Sequence, residues 1–103
     1  MKELNAFIEA KKQHLKTLAQ FVPIVDRVHG SNHPEFHEVR ALAEGIIAKS
    51  KAAGSDRPQL DEEFARLRAV THDYRVPGDV CESFEAVYSM LEQLDKAYAA
   101  SKA

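Results

Sequence analysis

Pro34-Glu-Phe-His-Glu-Val-Arg-Ala-Leu-Ala-Glu-Gly-Ile-Ile47 decides the fold class. Its apolar residues, Phe36, Val39, Leu42, Ala43, Ile46 and Ile47, recur three and four positions apart. That is the repeat of one helix face and not the alternation of a half-buried strand. Ser31 and Asn32 precede the stretch as cap residues and Pro34 suits a first turn, so a helix is expected over 33–53. Lys49 and Lys51 suit the negative end of the helix dipole, and Gly54 reads as the stop.

The same repeat continues on both sides. Leu4, Phe7, Ile8, Leu15, Leu18 and Val22 form a stripe over about 2–20, and Ile24, Val25 and Val28 resume it as far as Gly30. Pro23 between them implies a kink or a second short helix, because proline removes a backbone bond and crowds the preceding turn. Leu60, Phe64, Leu67, Thr71 and Tyr74 mark a third helix over about 59–75, opening near Pro58 with Asp61, Glu62 and Glu63 in its first turn. Val80, Phe84, Val87, Tyr88, Leu91, Leu94 and Tyr98 mark a fourth over about 77–98, opening at Pro77; Ala99 to Ala103 carry no stripe and should fray. Short connections make consecutive helices antiparallel, giving an all-α, four-helix, up-and-down bundle in a single domain.

Composition narrows the function. With 103 residues there is room for one core, and a net charge of −2 lacks the basic face of a nucleic-acid binder. Lys11, Lys12 and Lys16 read as a solvated face beside Glu9. No apolar run reaches the roughly 20 residues needed to span a bilayer, and the start has no signal-peptide pattern, so a cytoplasmic protein without membrane contact is expected. Cys81 is the single cysteine, which excludes an internal disulfide and fits a reducing compartment.

His29, His33 and His37 fall four residues apart, a metal-ligand spacing if the helix faces a bundle interior. On the helical wheel His29 lies on an apolar face with Asp26 beside it, His33 lies at a stripe edge, and His37 points outward. These four residues are the candidate metal ligands. His14 and His72 read as surface histidines. A dinuclear centre also needs bridging carboxylates, and the chain contains no His-x-x-x-Glu pair. Cys81 sits where a helix N-terminus lowers a thiol pKa, but no local feature places a histidine beside it, so it reads as structural. Ser83 and Ser89 have no nucleophile context and no glycine-rich phosphate loop is present; the chain is not expected to be an enzyme.

Phe21-Val-Pro-Ile-Val-Asp-Arg-Val-His-Gly-Ser-Asn-His-Pro-Glu-Phe-His-Glu-Val39 resembles the histidine helix that opens the second half of hemerythrin-like di-iron proteins of the iron–sulfur cluster repair family. Leu67-Arg-Ala-Val-Thr-His-Asp-Tyr-Arg-Val-Pro-Gly-Asp-Val-Cys-Glu-Ser-Phe-Glu-Ala-Val-Tyr88 is similar to that family's connector and following helix. The resemblance runs from Phe21 to Leu94. It implies a hemerythrin-like bundle, iron as the cofactor, and a stress response in which damaged clusters are repaired. Of the family's ligands only the helix-opening histidine has a counterpart, His33. The stretch Leu94 to Ala103 lacks the family's closing ligand pair, and Met1 to Gln20 carries only His14. The resemblance therefore implies a half-length relative, with iron or another metal bound incompletely or at a subunit interface, or with no metal at all. The expected partners are a second copy, a di-iron relative or an iron–sulfur protein. A homodimer is expected because Phe7, Ile8, Leu15 and Leu18, and Phe84, Tyr88, Leu91 and Tyr98, would leave apolar stripes uncovered.

Overall fold

A computed structural model describes residues 2–101, with side chains from residue 6 onward, so Leu4 of the first stripe lies outside the described side chains. Four helices follow in order: α1 (Lys2–His29), α2 (Glu35–Ala53), α3 (Asp61–Thr71) and α4 (Glu82–Ala100). No strand occurs among the described residues. The all-α, four-helix, up-and-down reading holds. α1 packs mainly against α4 and then α2, and α3 packs on α2.

Several boundaries differ from expectation. α1 is continuous through Pro23 for 28 residues, or about 42 Å at 1.5 Å per residue, and so spans the 41 Å long axis of the molecule. Burial on both sides of the proline explains the continuity: Leu18, Val22 and Val25 are all in the core. α2 starts at Glu35 with Pro34 as its cap residue and no capping side chain. It ends where Gly54 takes φ 60°, a left-handed value that favours glycine. Lys11 is partly exposed, and its Nζ donates to the Gly54 carbonyl at 2.7 Å and reaches the Ser50 carbonyl at 3.4 Å, satisfying the C-terminal end of α2, while Lys12 and Lys16 are exposed as expected.

The prolines expected to open α3 and α4 do other work. The Pro58 carbonyl accepts a hydrogen bond from the Tyr98 hydroxyl at 3.1 Å, and that hydroxyl accepts the Leu60 N–H at 2.8 Å. Of the stretch expected to fray, Ala99 and Ala100 are helical and Ser101 is buried, its hydroxyl accepting from Arg57 Nε at 2.7 Å; Lys102 and Ala103 lie outside the described residues. Pro77 lies in a connector that runs from His72 to Val80.

α3 is only 11 residues long, and its stop is unusual. His72, Asp73 and Tyr74 all take left-handed backbone angles, at φ 53°, 59° and 64°. A left-handed residue with a Cβ costs roughly 1–2 kcal/mol, so the run must be held. Thr71 Oγ1 donates to the Leu67 carbonyl at 2.6 Å and accepts the Tyr74 N–H at 2.8 Å. Tyr74 then donates its hydroxyl to Asp95 Oδ2 at 2.7 Å, while Arg68 meets both oxygens of Asp95 at 2.7 and 2.9 Å. Asp95 is 6% exposed, and burial followed by the Asp95 hydrogen bond raises the Tyr74 pKa, so Tyr74 stays a donor.

The stripes from α1 and α4 meet inside this frame. Phe7, Leu18, Phe84, Tyr88, Leu91 and Tyr98 are all buried within one chain. Most of the stripe residues expected to drive dimerisation are therefore covered by each other, with Ile8 and Leu15 left partly exposed. Asp95→Ala should lower the stability by about 2 kcal/mol in urea denaturation, because it strands the Tyr74 hydroxyl and frees the left-handed run.

Candidate functional site

Because α3 is short, the connector from His72 to Val80 crosses one end of the bundle, where α1 finishes and α2 begins. It carries Asp79, and Cys81 follows as the cap residue of α4. His29 is the last residue of α1 and His33 precedes α2, so two imidazoles from one turn face two side chains from the other.

The His29 Nε2 atom lies 3.1 Å from Cys81 Sγ. Cys81 is exposed, so the expectation of a structural cysteine with no histidine beside it is corrected. The signal was topological. In an antiparallel α1–α4 pair, the end of the first helix stands beside the start of the last. The Cys81 thiol pKa is pulled down to about 7, first by the Phe84 backbone N–H, then by His29 and the Ser83 N–H, against the opposing effect of desolvation. Those amides face the sulfur without closing a capping hydrogen bond.

His33 is held at both nitrogens. Nδ1 lies 3.0 Å from Glu35 Oε2, and Nε2 lies 2.9 Å from Asp79 Oδ1. Two carboxylate acceptors, one at each nitrogen, favour the doubly protonated imidazolium, which donates at both ends. Desolvation opposes the charge, but the hydrogen bonds and negative charges of Asp79 and Glu35 outweigh it and raise the His33 pKa. Both imidazoles rest edge-on against Phe84, with centroids 5.5 Å away for His29 and 5.6 Å for His33. Phe84 in turn packs on Phe36 at 5.1 Å and Tyr88 at 4.8 Å.

His37 and Asp26 form a separate cluster. His37 Nδ1 lies 2.6 Å from Asp26 Oδ1, and Arg40 donates to Oδ2 at 3.2 Å. The His37 contact is close but too poorly aligned to count as a hydrogen bond, leaving buried Oδ1 without one. Asp26 thus faces α2 and not His29. Gly30 makes this approach feasible: a Cβ there would come within 2.4 Å of the Asp26 carbonyl oxygen and 2.7 Å of the His37 ring. Of the other two histidines, His14 Nε2 pairs with Gln93 Oε1 at 2.8 Å and His72 is exposed at the end of α3.

The four candidate ligands are therefore spread over three contacts, His29–Cys81, His33–Glu35–Asp79 and Asp26–His37–Arg40. Among the described residues no group of three or more histidine, cysteine or acidic side chains converges as metal ligands do. A di-iron centre needs several imidazoles and bridging carboxylates aimed at one point. Here both nitrogens of His33 already face carboxylates, and Phe84 packs against the ring. The donor set does not fit that centre. No helix among the described residues is long and apolar enough to cross a membrane.

No family model matches the chain, and no solved structure matches it.

The His33 clamp has a pH signature. Because the folded pKa is raised, its contribution to stability is complete below the unfolded value and is lost as pH rises through the folded value. An NMR titration of the ring Cε1 proton should give a His33 midpoint above that of an unfolded histidine. Asp79→Asn should bring the midpoint down.

Proposed function

We propose that this chain is a small helical thiol module, related to the hemerythrin-like cluster repair proteins, whose working group is the His29–Cys81 pair. The 3.1 Å approach of Nε2 to Sγ carries this reading. A hydrogen-bond donor on sulfur and two backbone amides from the start of α4 favour the thiolate, the nucleophilic form of cysteine. The side chain is exposed, so a soft electrophile can reach it. With a low-molecular-weight disulfide, Sγ attacks one sulfur, the new S–S bond forms as the old one breaks, and the departing thiolate takes a proton from water. The product is a mixed disulfide on Cys81, a reversible mark and not a catalytic turnover.

The kinship is supported by the segments Phe21 to Val39 and Leu67 to Tyr88. In this chain the second segment supplies the connector that carries Asp79 and Cys81 to the histidines. His33 is the one position that matches a family ligand, and its nitrogens are engaged by Glu35 and Asp79. The reading accordingly routes no step through iron.

Alkylation by iodoacetamide tests the thiol. Its rate should rise with a midpoint near pH 7, the value to which Cys81 is lowered. His29→Ala should move the midpoint towards that of an ordinary thiol, roughly 8.5. A wild-type midpoint at the ordinary value would sink the proposal. Metal analysis of protein purified without an affinity tag makes a second check. The expected content is well below one iron per chain, and two firmly held irons would restore the di-iron reading in place of this one.

A further inference from the structure

The thiol of Cys81 stands in an acidic surround. Glu82 follows it directly as the first residue of α4, and Glu85 lies one turn on, its N–H bonded to the Cys81 carbonyl at 3.2 Å. Both are exposed, and neither carboxylate has an ion-pair partner among the described residues. The Asp79–His33–Glu35 clamp sits alongside, because His33 and His29 rest on the same Phe84 ring. The clamp sets two carboxylates against one imidazolium, and the Asp79 side chain, at 68% exposed, faces incoming molecules. The arginines nearest in sequence are placed elsewhere. Arg27 precedes His29 by two positions, which at about 100° per residue turns it to the other side of α1. Arg75 is tied to the end of α3 by its N–H bond to the Thr71 carbonyl at 3.0 Å.

We infer that this rim selects the substrate by charge: Cys81 exchanges with cationic disulfides, which carry ammonium groups beside their sulfurs, and discriminates against anionic ones. The inference rests on the thiol reading and names its substrate class. An anionic disulfide must bring its charge past Asp79, Glu82 and Glu85 to meet a sulfur that is itself an anion. A cationic one is drawn to the same rim, and fields of this kind change association rates about tenfold or more at low salt. The exchange is the same for either. Sγ bonds one sulfur as the S–S bond breaks, and the other half leaves as a thiolate that takes a proton from water. With a cationic disulfide, the ammonium arm left on Cys81 finds Glu82 and Glu85 within a helical turn. The helix amides and His29 act on the sulfur at hydrogen-bond distance and are blind to the charge of the incoming molecule. They set reactivity, and the carboxylates set selection.

The test compares exchange of the full chain with cystamine, a dication, and with oxidised glutathione, a dianion, at roughly 0.01 M ionic strength, where charges act over about 30 Å. The cystamine-to-glutathione rate ratio is divided by that of mercaptoethanol, which removes the intrinsic reactivity of the two disulfides. Neutral iodoacetamide reports the thiolate independently of charge. The corrected ratio should favour cystamine about tenfold or more, and should fall towards one in roughly 1 M salt, where screening acts within about 3 Å. Glu82→Gln with Glu85→Gln should lower the low-salt ratio several-fold, and Glu82→Lys with Glu85→Lys should bring it to one or below. Both pairs change exposed positions and should keep the helical circular dichroism; Asp79 is left in place because it holds His33. If iodoacetamide keeps its midpoint near pH 7 and the corrected ratio is one, or is indifferent to the glutamine pair, the charge selection is overturned and the thiol reading stands. An iodoacetamide midpoint at the ordinary value of roughly 8.5 overturns both.

Discussion

A buried carboxylate governs where this bundle ends. Asp95 binds the buried hydroxyl of Tyr74 and the surface guanidinium of Arg68, and these hydrogen bonds hold three successive left-handed residues that the backbone would otherwise reject. The third helix stops there, well short of its neighbours. The chain that would have continued as helix becomes a connector across the open end of the other helices. Were α3 as long as α2, Asp79 and Cys81 would begin further along the chain and would not meet His33 and His29. One buried network on α3 and α4 thus sets the chemistry found on the opposite side of the connector.

The end that results is a layered arrangement. At its base Phe36, Phe84 and Tyr88 pack as an aromatic cluster. His29 and His33 lie on Phe84 and present their nitrogens outward, one to a thiol and one to two carboxylates. The two contacts are electrically distinct. The charge of protonated His33 is balanced locally by Glu35 and Asp79, whereas the sulfur of Cys81 draws its stabilisation from helix amides and a single imidazole. Placing the more reactive group on the rim and the charged tie beside it lets the connector be anchored without consuming the thiol.

The four-helix plan was legible because each stripe is a local repeat: Phe36 to Ile47 or Phe84 to Tyr98 announces its buried face without reference to the rest of the chain. Boundaries were less so. Pro58 and Pro77 look like helix openings from their neighbours alone, yet Pro58 is claimed by the Tyr98 hydroxyl some forty positions away. Pro77 falls in a segment released by the left-handed run. Continuity through Pro23 depends on core residues on both sides, which outweigh one lost backbone bond. The site was the least legible part. His29 and Cys81 are 52 positions apart, so no spacing rule joins them; only the antiparallel pairing of α1 with α4 does. Histidine spacing did locate the correct end of the molecule, although the three imidazoles turn to three different partners.

The dominance of the α1–α4 contact has a kinetic consequence. His14 and Gln93, which meet at the middle of that interface, are separated by 79 positions. Bringing such distant segments together costs about 2 kcal/mol more chain entropy than closing a loop of roughly ten residues. Neighbouring helices can pair early, but the part of α1's apolar face that packs on α4 stays exposed until α4 arrives. Because that closure is long-range, this small helical protein should fold more slowly than bundles whose largest interfaces join consecutive helices.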